Sequence, residues 1–303
     1  MSTFSIQVFT SIKNNYQKAS TIKKIIVTLQ NNSITMKDLA EKSLLLWQEE
    51  QTFLRGINAD TPQHEYEQAL VVCENIHPHL INKVDKAEYI DFLFLYADLF
   101  ELKGNLKKEI DIQDEIVSVR RKQVDENRGE YLSKLSRSLL RASFLHRDAV
   151  NVRKAIDCME EHLAIERAIA NETGQNSSES VALALYFMAN TYARFGRNIL
   201  AEDTYTEAVE VYYNLIAQAH NVDATLIVSQ ILIEFADFYV STGFFDKATD
   251  RYTQAIELLR TIAPENEEAE TLLQQQYIFM RDFYDRIDDK EKSNHYAELL
   301  NNQ

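Results

Sequence analysis

Histidine is the residue type in this sequence best suited to bind a metal or move a proton, but the histidines are scattered. They share no short spacing except for one close pair and lie at His64, His77, His79, His146, His162, His220 and His295. No acidic residue at ligand spacing supports His77-Pro78-His79, whereas a metal site needs three or four converging ligands. A surface loop is therefore the favoured interpretation of that segment. His162 and Glu166 share a helix face, but such a pair is more often an exposed contact. We expect neither a metal nor another cofactor.

The sequence motifs of common catalytic sites are missing. There is no GxSxG, P-loop, GxGxxG or HExxH segment, and each of these motifs sets a specific geometry around a reacting group or a phosphate. Only 6 glycines occur in 303 residues, too few to build a phosphate-binding loop beside the turns. The sequence predicts a protein that is not an enzyme.

The two cysteines, Cys73 and Cys158, lie in helical stretches without CxxC or histidine spacing. Neither a disulfide framework nor a zinc site follows from them, so a reducing compartment is expected. The most apolar run near the N-terminus, residues 25–29, is too short to span a bilayer. These features predict a cytoplasmic protein without a membrane partner.

Helices must position whatever site this chain has. Apolar residues recur at spacings of three and four almost throughout, which is the helix period. The chain has 6 glycines and 3 prolines, whereas strands joined by tight turns would need many more. The predicted fold class is therefore all-α.

The few breakers divide the helical pattern into antiparallel pairs. Thr61 is the predicted N-cap of a helix that starts at Pro62, and Pro78 is predicted to close that helix. Residues 1–34 are predicted to form an N-terminal helical cap and residues 35–303 a repeat array. The predicted pairs of the array lie near residues 35–80, 85–126, 128–172, 178–219, 222–262 and 265–301.

The glycines set a period. Gly104, Gly196 and Gly243 each fall at the turn inside a pair, and they are separated by 92 and 47 residues. Since 92 is twice 46, a further turn is predicted near Val150. A unit of about 46 residues thus organises most of the chain.

Two segments share one pattern in full register, each member offset by 47 residues. Small residues such as Ala189 and Ala201 allow the two helices of a pair to approach closely, and Tyr192 and Tyr205 fill the space around that contact. The pattern consists of Leu185, Met188, Ala189, Tyr192, Gly196, Ala201, Tyr205 and Ala208, repeated as Leu232, Phe235, Ala236, Tyr239, Gly243, Ala248, Tyr252 and Ala255.

This order of large, small, aromatic and turn residues resembles the tetratricopeptide repeat (TPR). The resemblance implies a right-handed α-solenoid of about six antiparallel helix pairs, a TPR-like superhelix that binds other proteins. The ordinary unit has about 34 residues. The longer unit here is similar to the lengthened repeats of kinesin light chains.

The resemblance also implies that the first helix of each pair lines a concave groove. An asparagine there can hold a peptide backbone, and arginines can grip acidic side chains or a terminal carboxylate. The alternative is that these residues are solvated or form intramolecular ion pairs. The candidate groove residues are Tyr186, Asn190 and Arg194 in the fourth pair, Arg137, Phe144 and Arg147 in the third, and Phe94, Asp98, Gln230, Ile233 and Asp237 in the second and fifth.

The net charge of -15 disfavours nucleic acid as a partner, because phosphates and the chain repel each other. Residues 1–50 carry six lysines against four acids, whereas residues 171–303 carry 22 acids against 9 lysines and arginines. A solvated outer face is the favoured interpretation of this acidity, and a basic partner is the alternative.

A scaffold or adaptor that binds a protein or peptide in its groove is the leading functional hypothesis. The alternative is a peptide-sensing signalling regulator with an N-terminal helical effector segment. Residues 31–40 resemble the start of a helix in helix-turn-helix regulators, although a capping pair is favoured because a basic recognition helix is missing. A third hypothesis is one subunit of a larger complex.

Overall fold

The computed structural model of the chain describes Trp47 and residues 54–58, 60–81, 83–174, 178–218 and 221–301. The predicted cap at 1–34 and the segment 31–40 lie outside these residues. Over the described part, the chain forms eleven α-helices and one 3-10 helix, and no strand, so the all-α prediction is confirmed. The helices are α1 (Gln63–Leu80), α2 (Lys86–Leu102), α3 (Leu106–Glu126), α4 (Arg128–Asp148), α5 (Val152–Glu172), α6 (Glu179–Arg194), α7 (Asn198–Gln218), α8 (Val222–Thr242), α9 (Phe245–Ile262) and, after the 3-10 turn Ala263–Glu265, α10 (Glu267–Arg286) and α11 (Lys290–Asn301).

The chain divides into two compact units, residues 1–151 and 152–303. Within the first unit, α1 packs on α2, α2 on α3 and α3 on α4. Within the second unit, each helix from α5 to α11 packs on the next, and the first helices α6 and α8 also contact each other. Contact between sequence neighbours is how a repeat array is stabilised.

One turn geometry recurs at the ends of five first helices, α2, α4, α6, α8 and α10. Its central residue has a left-handed backbone, and the next residue donates its N–H to a carbonyl five positions back, which is the Schellman motif. The turn residues are Gly104 (φ 68°), Val150 (φ 59°), Gly196 (φ 69°), Gly243 (φ 83°) and Asp288 (φ 62°). The turn predicted near Val150 from the glycine period is confirmed.

We expect Val150→Gly to raise the free energy of unfolding by about 1 kcal/mol. A β-branched residue at positive φ is strained, and the Val150 side chain is 68% exposed, so little burial is lost with it. Urea unfolding followed by circular dichroism measures the change. The reverse substitution, Gly243→Val, is expected to lower the free energy of unfolding by about 1–2 kcal/mol. A Cβ at this position would meet no atom within 4 Å, so the loss comes from backbone strain alone. If both substitutions changed the free energy of unfolding in the same direction, the assignment of a strained left-handed backbone to Val150 would be contradicted.

The residues of the repeated pattern form the core of the second unit. Apart from the two glycines, all of them are buried. The rings of Tyr205 and Phe235 stack with centroids 4.8 Å apart, and those of Phe235 and Tyr239 lie 4.6 Å apart. The 47-residue pattern therefore corresponds to packing between consecutive helix pairs.

Local predictions at the start and end of α1 were wrong. Pro62 is the N-cap residue and α1 begins at Gln63, whereas the Thr61 hydroxyl accepts a hydrogen bond from the Asn58 N–H. Pro78 lies inside α1, which continues to the fully buried Leu80. Burial of Leu80 holds the last turn in place although proline removes one backbone donor. His77-Pro78-His79 is thus helical and not a surface loop.

Helix α8 is long and apolar enough to cross a membrane by length and composition. Its most apolar 18-residue window has a mean hydropathy of 1.4, and 61% of that window is buried within the protein. The buried residues include the pattern residues Leu232, Phe235, Ala236 and Tyr239. Packing inside the repeat array accounts for the hydrophobicity of α8.

Candidate functional site

Within each unit the first helices, α2 and α4 in the first unit and α6 and α8 in the second, carry accessible side chains at three- and four-residue spacing. We call these residues the first-helix stripe. Positions 46 or 47 residues apart are equivalent, so that Asp98, Phe144, Asn190 and Asp237 occupy one register. All eight predicted partner-binding residues are half-buried or exposed on this stripe, and their role in binding stays a prediction. The stripe comprises Asp91, Phe94, Asp98, Arg137, Arg141, Phe144, Arg147, Tyr186, Asn190, Arg194, Gln230, Ile233, Glu234 and Asp237.

Tyrosines of the second helices orient two stripe residues. The Tyr205 hydroxyl donates to Asn190 Oδ1 at 2.7 Å, and the Tyr252 hydroxyl donates to Asp237 Oδ1. Burial raises the pKa of both tyrosines, so each hydroxyl remains a donor. The same 15-residue spacing occurs in both pairs, a signal in the sequence that the groove prediction overlooked.

Asn190 also bonds to the next first helix. Its Nδ2 donates to Glu234 Oε2 at 3.1 Å. With its carbonyl oxygen bonded to Tyr205, the Asn190 amide keeps one N–H and one lone pair for a ligand. This is half of the bonding capacity that the sequence interpretation assigned to it.

In the first unit, Arg141 of α4 reaches three carboxylates. Its Nη2 lies 3.2 Å from Asp98 Oδ1, 3.3 Å from Glu101 Oε2 and 3.4 Å from Glu109 Oε1. Asp98 and Arg141 are the repeat equivalents of Asn190 and Glu234, so both contacts join consecutive first helices at one register. Asp98 therefore forms an intramolecular ion pair, the alternative considered for it.

The other predicted stripe residues also have neighbours. The Arg147 guanidinium lies over the Phe144 ring, 4.8 Å from its centroid, and Arg147 Nε is 3.6 Å from Asp148. The ring of Tyr186 is tilted against that of Phe187 at 5.2 Å. Contacts between arginine and an aromatic face leave part of both side chains accessible for a ligand.

A pocket of about 320 Å³ lies between α2, α3 and α4. Of its lining residues, the sequence analysis singled out Phe94 and Arg137. Five lining residues were not predicted, two on the second helix α3 and three on the first helix α4. The pocket is lined by Phe94, Gln113, Arg120, Lys134, Arg137, Ser138 and Arg141.

No family model and no curated protein matches the sequence. Solved structures do match. BtubC (BKLC) from P. vanneervenii superposes with a TM-score of 0.53 at 18% identity, over 79% of this chain and 88% of that one. The apo form of RapI superposes with a TM-score of 0.52 at 11% identity, over 96% and 94%. A kinesin light chain with TPR-like repeats from Podosopora anserina gives 0.50 at 12% identity, over 75% and 98%.

The chain has a TPR-like repeat fold. The predicted resemblance to tetratricopeptide repeats, including those of kinesin light chains, is thereby confirmed for the fold. At these identities the likeness concerns the architecture alone.

Hydrogen bonds between consecutive pairs support the TPR-like array. His146 Nε2 lies 2.8 Å from Asp114 Oδ1, and one repeat later the Tyr192 hydroxyl donates to Glu160 Oε1 at 3.1 Å. The fully buried His146 therefore fulfils the same bonding role as the repeat tyrosine that it replaces. His162, expected to be exposed, is also buried.

The histidines of the described residues do not form a candidate metal site. Over those residues, no three His, Cys, Asp or Glu side chains are grouped so that they could hold a metal ion. His77 Nε2 lies 2.9 Å from Glu115 Oε2, and the Tyr89 hydroxyl donates to the other oxygen at 2.7 Å. These bonds lower the pKa of Glu115 and link α1, α2 and α3.

Proposed function

We propose that this chain is a non-catalytic scaffold that binds a protein or peptide segment along the first-helix stripe. The observation that carries the proposal is the register of the stripe. Accessible aromatic, amide and charged side chains recur on consecutive first helices, and Tyr205 and Tyr252 fix the orientation of two of them. Preorganised side chains lose little conformational entropy on binding, which favours recognition of an extended segment.

The side chains of the stripe favour a peptide as the ligand over the flat surface of a folded protein. In the second unit the stripe includes the half-buried Tyr186, Asn190 and Ile233, so that apolar side chains and an amide share one surface of the first helices. Aromatic anchors next to a few polar groups are typical of interface hot spots. The peptide-sensing regulator remains the alternative, since its effector segment lies outside the described residues.

A reducing, cytoplasmic setting is part of the proposal. Cys73 is a free and fully buried thiol. Burial raises the pKa of Cys73, so the thiol stays protonated and packs as a small apolar side chain. A larger complex that contains this chain is compatible with the same binding mode.

We expect Tyr186→Ala to weaken binding of a selected peptide about tenfold, as hot-spot truncations do. Peptides are selected by display on the full chain, and their affinities are then measured by fluorescence anisotropy. The matched control is Tyr213→Ala, which removes a half-buried tyrosine from the second helix of the same pair. Its affinity is expected to stay within about twofold of the parent. The proposal is wrong if every selected peptide binds the Tyr186→Ala variant as tightly as the parent.

A further inference from the structure

The pocket between α2, α3 and α4 is cationic in a chain whose net charge is -15. We call it the cationic pocket. Four of its seven lining side chains are basic and none is acidic. Its volume of about 320 Å³ is at the lower end of the range for ligand sites. The size suits a group as large as one side chain.

Two of the four cations form no ion pair with any residue that the structure describes. Arg141 is neutralised by three carboxylates, and Lys134 Nζ lies 3.4 Å from Glu130. Arg120 Nη1, in contrast, donates to the neutral Gln123 Oε1 at 2.8 Å. Arg137 has no hydrogen bond or ion pair with any residue that the structure describes. The Arg120–Arg137 side of the cationic pocket therefore carries two positive charges that form no ion pair, although the charge of Asp91 acts on Arg120.

Two buried polar atoms of the lining residues also lack partners among the described residues. Gln113 is 1% exposed, and its Nε2 donates to the Ser138 carbonyl oxygen at 2.8 Å. This bond fixes the amide orientation and leaves Gln113 Oε1 as a buried acceptor without a donor. Arg120 Nε is a buried donor without an acceptor. Leaving both atoms unpaired costs free energy in the folded chain.

The guanidinium groups of Arg120 and Arg137 act on each other. Burial lowers the pKa of Arg120, and the positive charge of Arg137 lowers it further, against Asp91 and Tyr131. An anion between these groups would relieve both the repulsion and the desolvation of Arg120.

We propose that the cationic pocket holds the side chain of an acidic residue in the bound segment. The carboxylate pairs with Arg120 and Arg137, and Phe94 contacts the aliphatic part of the side chain. This inference rests on the proposed peptide-binding function and specifies one residue class of the partner. A guanidinium–carboxylate pair supplies a strong charge-assisted hydrogen bond.

Two peptide pools test the proposal on the full chain. Both are acetylated and amidated heptapeptides with random flanks, and they differ only in a central Glu or Gln. We expect the Glu pool to bind about tenfold more tightly, since a hydrogen bond to a charged group contributes roughly that much. The Arg137→Gln variant should lose this preference, so that it binds the two pools with equal affinity. Arg137 is exposed, so the variant is expected to fold.

The control variant is Arg153→Gln, which removes one positive charge from a side chain that is 93% exposed on α5. It should retain the preference for the Glu pool. Loss of the preference in this variant as well would contradict a local site. Binding of both pools with equal affinity would overturn the inference and leave the proposed function intact, whereas binding of neither pool would reject both. Inorganic phosphate tests whether the cationic pocket binds a free anion instead of a side chain. If phosphate displaces the Glu peptides at a concentration equal to theirs, a peptide side chain as the ligand would be contradicted.

Discussion

Replacing Phe235 by alanine is expected to lower the free energy of unfolding of the second unit by about 4 kcal/mol. Phe235 is fully buried on α8, and its ring stacks between those of Tyr205 and Tyr239. The Arg251 guanidinium lies over the same ring, 5.1 Å from its centroid. The substitution therefore creates a cavity where two consecutive helix pairs meet. Urea unfolding followed by circular dichroism measures the loss.

Phe244→Ala is the matched control, because Phe244 is 53% exposed at the turn of the same pair. Its contacts are an edge contact with Tyr239 and the nearby Lys247. We expect a loss below about 1 kcal/mol, since little apolar surface returns to water. Similar losses for the two phenylalanines would show that the 47-residue pattern does not define the core.

Arg141→Met is expected to destabilise the first unit by about 2 kcal/mol at pH 7. The substitution keeps the length of the side chain but leaves Asp98, Glu101 and the buried Glu109 facing one another without a cation. Removing one partner of a buried ion pair commonly costs about 3–5 kcal/mol, and the partial exposure of Arg141 reduces that figure. Lys107→Met, which removes an exposed lysine from α3, should change stability by less than about 0.5 kcal/mol.

The loss caused by Arg141→Met should shrink as the pH falls. Burial raises the pKa of Glu109, and the hydrogen bond from Arg141 opposes that shift. Without Arg141 the pKa rises further. A carboxyl group whose folded pKa exceeds its unfolded value contributes stability at low pH, and that contribution is lost as the pH rises through the folded pKa. The difference in the free energy of unfolding between the Arg141→Met variant and the parent should therefore narrow as the pH falls from 7.5 to about 5. A constant or widening difference would contradict the role assigned to Glu109.

The period of the fold could be predicted from the sequence because glycines mark it. The turn at Val150 followed from arithmetic alone, although valine is among the residues least suited to a left-handed backbone. The N-cap at Pro62 and the position of Pro78 inside α1 were missed. In both cases the packing of buried residues along α1 outweighs local propensity. The residues that bury Leu80 lie on other elements, so they cannot be predicted from the sequence of α1 alone.

The accessible positions of the candidate site were also predictable, whereas their contacts were not. Equivalence by 46 or 47 residues places Asn190 and Asp237 on one stripe. Their bonds to Tyr205 and Tyr252 share a 15-residue spacing in the sequence, but which side chains meet depends on how the second helix returns along the first. Arg120 and Gln113 lie on the second helix α3, whereas the groove prediction concerned first helices alone. Long-range neighbours of this kind follow from packing and not from spacing.

Photo-cross-linking tests most directly whether a segment binds along the first-helix stripe. A benzophenone amino acid replaces Tyr186 in one variant and Tyr213 in another, and each full-length variant is irradiated with a display-selected, biotinylated peptide. Binding along the stripe predicts efficient cross-linking from position 186 and little from position 213. Efficient cross-linking from position 213 with none from position 186 would contradict binding along the stripe.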